Sequence, residues 1–179
     1  MIRPGTVLPL AIAGPAALGL AALGLAALGL AVPATPADAR DTIGVYQGWG
    51  VFRDATPARC YAIARATKAG GTTGGVASVA TWPTRGLRGS LYIRLSRPHD
   101  AAAAVTLSIG ERRFTLVARD HDAFAPDAPT DRAIVAALRS GRSMSVETLA
   151  PGGRPFADVY ALAGAATAID AAGLACVRR

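Results

Sequence analysis

The sequence predicts a mainly β protein: an antiparallel β-sandwich or barrel-like domain with one short internal helix and a C-terminal helix. Three observations predict it. Apolar and polar residues alternate with period two over several short segments after residue 44, which gives each segment one buried and one wet face. Clusters of Pro, Gly and Asp punctuate these segments at hairpin spacing. The alternation then gives way to helical spacing after Pro129, and the chain closes in an alanine-rich stretch.

The elements follow in order. Val45, Gln47, Trp49, Val51 and Arg53 alternate with Tyr46, Gly48, Gly50 and Phe52 as a first strand, and a turn at Asp54-Ala55-Thr56-Pro57 leads into a second at Cys60-Tyr61-Ala62-Ile63-Ala64. Lys68 to Gly75 reads as a flexible loop, since four glycines and two threonines offer nothing to bury. Val76 to Trp82, Ser90 to Leu95, Ala104 to Ile109 and Arg113 to Val117 are four further strands. Between them stand the turns Pro83-Thr84-Arg85-Gly86, Arg97-Pro98-His99-Asp100 and Gly110-Glu111. In the strand near residue 90, Leu91, Ile93 and Leu95 share the core face while Tyr92 and Arg94 take the other. Pro129-Thr130-Asp131 can cap a helix over about 131 to 139 with Ile134, Val135 and Leu138 on one side, and Gly141 offers a left-handed stop. Ser143 to Leu149 returns to strand, Pro151-Gly152-Gly153 turns the chain, and Phe156 to Leu162 forms the last strand. Ala163 to Cys176 is the terminal helix, with Ile169, Leu174 and Cys176 available to a core despite Gly164 and Gly173.

Residues 1–39 have the form of an export signal. Arg3 precedes an unbroken run of apolar or small residues from 7 to 32, and Ala37-Asp38-Ala39 supplies small residues for a signal peptidase. The run repeats Ala-Ala-Leu-Gly-Leu at 16–20, 21–25 and 26–30, and so exceeds the roughly 7 to 15 apolar residues of a usual signal core. At about 1.5 Å per residue it is long enough to span a bilayer, which keeps an uncleaved inner-membrane anchor as the alternative. Pro33, Pro36 and the small-residue site favour cleavage before Arg40, leaving 40–179 as a single β-rich domain in the periplasm or outside the cell.

That address gives the cysteines their meaning. Cys60 and Cys176 are the only two, and an even count in an oxidising space predicts a disulfide between them, two buried free thiols being the alternative. Neither sits in a C-x-x-C motif, so the expected bond is structural.

The chain carries a net charge of +7, with 19 basic residues of which all but Lys68 are arginine. No basic arm or aromatic interleaving marks a specific nucleic-acid surface. A solvated cationic surface is the plain reading, and weak attachment to anionic lipid or polysaccharide through Arg85, Arg88, Arg112 and Arg113 is the sharper one. Asp120-His121-Asp122 has ligand-type side chains, but in extended chain His121 faces away from its neighbours, and a solvated loop is the better reading. His99, after Pro98 in a turn, is expected at the surface. No G-x-S-x-G elbow, zinc spacing or phosphate loop is present in the sequence, so no catalytic, metal or cofactor residue is assigned.

Trp49-Gly50-Val51-Phe52 before Cys60-Tyr61, with the ending Phe156-Ala157-Asp158-Val159-Tyr160-Ala161-Leu162-Ala163-Gly164 and then Ala168-Ile169-Asp170, resembles the invasion-associated locus B family of alphaproteobacterial exported proteins. The resemblance covers about 45 to 176, and it points to a divergent branch without the family's mid-domain cysteines. It implies a small β-sandwich protein of the periplasm or surface and supplies no catalytic residues.

The leading expectation is therefore an exported, non-enzymatic envelope protein that binds or supports an envelope or extracellular component, with loops at Lys68 to Gly75 and Asp120 to Thr130 presented by a rigid scaffold. A hydrolase acting on envelope carbohydrate or peptide through Asp120, Asp122 or Asp127 is the alternative, and cationic attachment to an anionic surface is the third reading.

Overall fold

The computed structural model describes residues 40–177. The predicted leader at 1–39, and with it the choice between cleavage and anchoring, lies outside the described residues. No helix among the described residues is long and apolar enough to cross a membrane.

The chain forms β1 (Arg40–Tyr46), β2 (Trp49–Asp54), β3 (Arg59–Arg65), β4 (Val76–Trp82), β5 (Leu87–Arg94), β6 (Val105–Ile109), β7 (Arg112–Arg119) and β8 (Asp122–Phe124), then α1 (Ala128–Ser140), β9 (Ser143–Ala150), β10 (Arg154–Ala161) and α2 (Ala165–Val177). All ten strands join one antiparallel sheet in the order β1-β2-β3-β4-β5-β8-β7-β6-β9-β10. The sheet curls. Its last strand returns beside the opening leaf, where the Trp49 indole N–H donates to the Ala161 carbonyl at 3.0 Å and Lys68 exchanges backbone hydrogen bonds with Val159.

Period-two alternation does what the sequence predicts along β5 and the residue after it: Leu91, Ile93 and Leu95 enter the core, and Tyr92 and Arg94 do not. Leu107 and Val146 meet them from β6 and β9, with Ile134 and Leu138 from α1. α2 packs chiefly on β2 and β3. Its buried face is Ala165, Ala168, Ile169 and Ala172, and the strand beneath offers Ala62 and Ala64, so small residues on both sides let helix and sheet approach closely.

Several expectations are corrected. The single strand read through Val45 to Arg53 is two strands, because Gln47 adopts φ 56° and Tyr46 pairs with Trp49 across a two-residue turn. The alternation runs on through the turn, which hides it. Asp122–Phe124, read as part of a loop, is a short strand between β5 and β7. The internal helix starts earlier than expected, capped by Asp127, whose carboxylate accepts the Thr130 N–H at 2.7 Å. Gly141 does not stop that helix in a left-handed conformation, since its φ is −75°. Glycine is needed there for space: a Cβ would lie 2.8 Å from both Ile109 Cγ2 and Leu162 Cδ1. Leu174 is 57% exposed instead of joining the core.

The glycine-rich segment from Lys68 to Gly75 is also not the free loop that its composition suggests. Thr67 and Lys68 donate to the Val159 carbonyl, Thr73 Oγ1 donates to the Ser96 carbonyl at 2.7 Å, and Gly70 N–H donates to Asp158. Its partners come from β10 and from the end of β5, far away in sequence, so local composition could not announce them.

Candidate functional site

The β4–β5 hairpin is closed by a single turn of 3-10 helix at Pro83–Arg85, ended by Gly86 at φ 64°. This places Trp82 and Leu87 opposite each other at the mouth of the hairpin. α1 and α2 pack over the neighbouring strands, and a groove of about 870 Å³ remains between the hairpin and the two helices. Its walls are mostly apolar: Trp82, Leu87, Val135, Ile169 and Leu174 line it, and Arg88 and Arg132 stand along it.

The groove is braced by side-chain contacts on two sides. The Trp82 indole has two guanidinium groups within cation–π range, with Arg59 Cζ 5.2 Å and Arg85 Cζ 5.1 Å from the ring centroid. Arg59 in turn bonds the nearly buried Asp54, which also accepts from Arg40. Burial pushes the Asp54 carboxyl upward, but hydrogen bonds from Arg40 and Arg59 outweigh it and hold the group below its usual range. Across the groove Arg139 of α1 bonds Asp170 of α2 at 2.6 Å, and this bond lowers the Asp170 carboxyl. The two helices are thus tied to each other.

Cys60 and Cys176 are joined, with S–S 2.08 Å and Cα–Cα 5.7 Å. The bond fixes the C-terminal turn of α2 to β3, and Cys176 itself lines the groove. The cysteine pair therefore holds one wall of the groove in place.

A second polar centre lies inside the fold. Asp158, fully buried in β10, accepts from the Ser96 N–H, the Ser96 hydroxyl and the Gly70 N–H. Tyr160, on the same face of the strand, is also fully buried, and its hydroxyl has no hydrogen-bond partner among the described residues. Burial first, and the Asp158 charge second, push the phenol far above its ordinary value. A Cβ on Gly75 would lie 2.6 Å from the Tyr160 oxygen and 2.7 Å from Asp158 Oδ2, so the loop backbone closes over the pair. Asp158 borders neither this groove nor a second one beside Arg113 and Phe156, and its chemistry is that of a strut between β10, the end of β5 and the glycine loop.

The carboxylates considered for hydrolysis have separate tasks. Asp120 is exposed in a turn at φ 52°, Asp122 accepts the Tyr92 hydroxyl at 2.8 Å and faces Arg94 at 3.6 Å, and Asp127 caps α1. None of the three borders either groove. No group of three or more His, Cys, Asp and Glu side chains with metal-binding geometry occurs among the described residues. His99 is not the surface residue expected of its turn: it is 8% exposed, and Nδ1 lies 2.8 Å from the Asp120 carbonyl, which together with a backbone bond pins the turn to that carbonyl. The arginines considered for surface attachment divide between two places. Arg85 and Arg88 stand at the large groove, while Arg112 stacks on Phe114 and Arg113 borders the second groove.

Sequence reasoning missed the groove, because its walls come from a hairpin, an internal helix and the terminal helix. Asp158 had a readable signal. Period two in Phe156 to Leu162 puts it on the face of Phe156 and Tyr160, and a carboxylate on a core face needs buried donors.

Fold and site together define a class: a curled antiparallel sheet, braced by a disulfide-tethered terminal helix, with an arginine-edged apolar groove at the helical side. No family model matches the sequence, and no curated protein matches it. Among solved structures, the crystal structure of invasion associated protein B from Bartonella henselae is similar, with a TM-score of 0.60 at 18% identity over 78% of this chain and 99% of that one. The likeness is one of fold.

Proposed function

We propose that this chain is an exported, non-enzymatic envelope module, distantly related to the invasion-associated locus B proteins, that binds an envelope component in the groove between its helices. The groove carries the reading. It combines a large concave surface, apolar walls and a few placed cations, which is the make-up of a ligand site. The fold likeness supports the distant relation. The non-enzymatic part rests on Asp120, Asp122 and Asp127, which are committed to a turn, a tyrosine–arginine contact and a helix cap.

Two measurements test it. Protein recovered from the envelope or the medium should begin at Arg40, whereas recovery from the cytoplasm with residues 1–39 intact contradicts export. Envelope extracts passed over the immobilised chain should leave a component that Val135→Asp with Leu174→Asp no longer retains. Retention unchanged by those substitutions removes the groove from the account.

A further inference from the structure

Three of the eight large apolar side chains exposed among the described residues line this one groove: Leu87 at 44%, Leu174 at 57% and Val177 at 69%. Single exposed apolar residues are ordinary, but a concave cluster of them marks a surface that something covers. Among the described residues the charges beside it are unbalanced. Of the ion pairs among the described residues, none engages Arg88 or Arg132, whereas the acidic side chain lining the groove, Asp170, is already held by Arg139. Arg132 shares its field with the exposed cap carboxylate of Asp127.

The occupant must then bring a long apolar surface and a negative charge. A second copy of the chain is disfavoured, because two chains that each carry +7 repel one another. Residues 1–39 hold one acidic residue, Asp38, and one basic residue, Arg3, and so bring no net negative charge. An acidic peptide brings backbone N–H and C=O groups that the apolar walls leave without partners, at a cost of roughly 1–3 kcal/mol for each group buried unpaired. A hydrocarbon tail has no such groups. The groove volume also falls in the small-molecule range of about 300–1,000 Å³.

Resting on the envelope-binding reading above, we propose that the groove binds a single-chain anionic amphiphile, a long-chain carboxylate, with its tail against Leu87, Val135 and Leu174 and its headgroup at Arg88 and Arg132. Planar guanidinium groups suit a carboxylate because they donate in parallel to both oxygens. The Cys60–Cys176 bond ties the C-terminal turn of α2, which forms one wall of the groove, to β3.

The test uses the full chain with oleate as probe, methyl oleate as the uncharged control and a glutamate-rich peptide as the competing chemistry. Oleate should bind saturably, and methyl oleate and the Arg88→Glu, Arg132→Glu chain should each bind at least about tenfold more weakly, the loss expected for charge-assisted contacts. Val135→Asp with Leu174→Asp should remove the saturable component, while near-ultraviolet circular dichroism of each variant shows that the fold is kept. Arg65→Glu, a charge reversal outside the groove, should leave oleate binding within about twofold. Equal binding of oleate and methyl oleate, or oleate binding unchanged in both groove variants, overturns the proposal. Binding of the peptide in its place, sensitive to the same substitutions, overturns the amphiphile and leaves the envelope-binding reading standing. Groove-independent retention of envelope extract removes that reading as well.

Discussion

Asp158 shows how one side chain can set the shape of a loop. A carboxylate at 0% exposure is tolerated because Ser96 and Gly70 supply three donors to it. Asp158→Asn replaces one acceptor oxygen with an amide N–H that faces existing donors, so a loss of about 2–3 kcal/mol is expected in urea unfolding, with Lys68 to Gly75 becoming sensitive to protease. Ser96→Ala removes one bond and should cost about 1 kcal/mol. The pH response of stability involves other residues. Asp54 has a folded pKa below its unfolded value of about 3.9, so its contribution is complete above that value and is lost as pH falls through the lower folded one. Asp131 has the opposite sign: burial raises its carboxyl more than the bond from Leu91 N–H lowers it, so its charge opposes folding above the unfolded value and that opposition fades as pH falls through the raised one. Unfolding free energy measured from pH 6 down to pH 3 should therefore fall less steeply in Asp54→Asn than in the parent, and more steeply in Asp131→Asn. These roles were only partly readable beforehand. A core-facing Asp158 follows from strand alternation, but its donors lie 62 and 88 residues away in sequence.

At the scale of elements, the disulfide joins β3 to α2 across a separation of 116 residues. Closing so long a loop is worth about 4–5 kcal/mol in the chain-entropy model. Cys60→Ser with Cys176→Ser should lower the unfolding free energy by that order and loosen the groove wall that α2 provides, and a reductant added to the parent should reproduce the shift. The joint between β10 and α2 is equally constrained. Gly164 has φ 86°, and a Cβ there would lie 2.1 Å from the Tyr46 carbonyl oxygen, so Gly164→Ala should cost at least about 3 kcal/mol and displace the β1–β2 turn. The cysteine pairing was legible because the sequence holds only two cysteines and the expected export to an oxidising space favours joining them. The strands from Arg59 to Arg119 were legible too, since alternation and turn residues agree there. The β1–β2 hairpin was not, for Gln47-Gly48 carries no strong turn signature and the alternation continues across it. β8 is three residues long with only Ala123 buried, too short to show a period.

At the largest scale, the described residues form a curled ten-stranded sheet whose two ends are joined through Trp49, Ala161, Lys68 and Val159. One side of the curl is closed by its own core, and the helical side leaves a groove where exposed apolar residues coincide with arginines that join no ion pair among the described residues. Such a surface is assembled only by tertiary packing, which is why a sequence that shows a mainly β fold and a paired cysteine does not show where the molecule binds. The +7 charge should speed encounter with anionic partners at low salt, while apolar contacts in the groove should set how long they stay. Retention should accordingly survive salt better than the association rate does. The most direct measurement is capture from envelope extract by the parent chain and by its Val135→Asp, Leu174→Asp variant, followed by mass analysis of what each retains. An anionic, apolar component held by the parent and lost by the folded variant is the predicted result; identical retention by the two chains would contradict it.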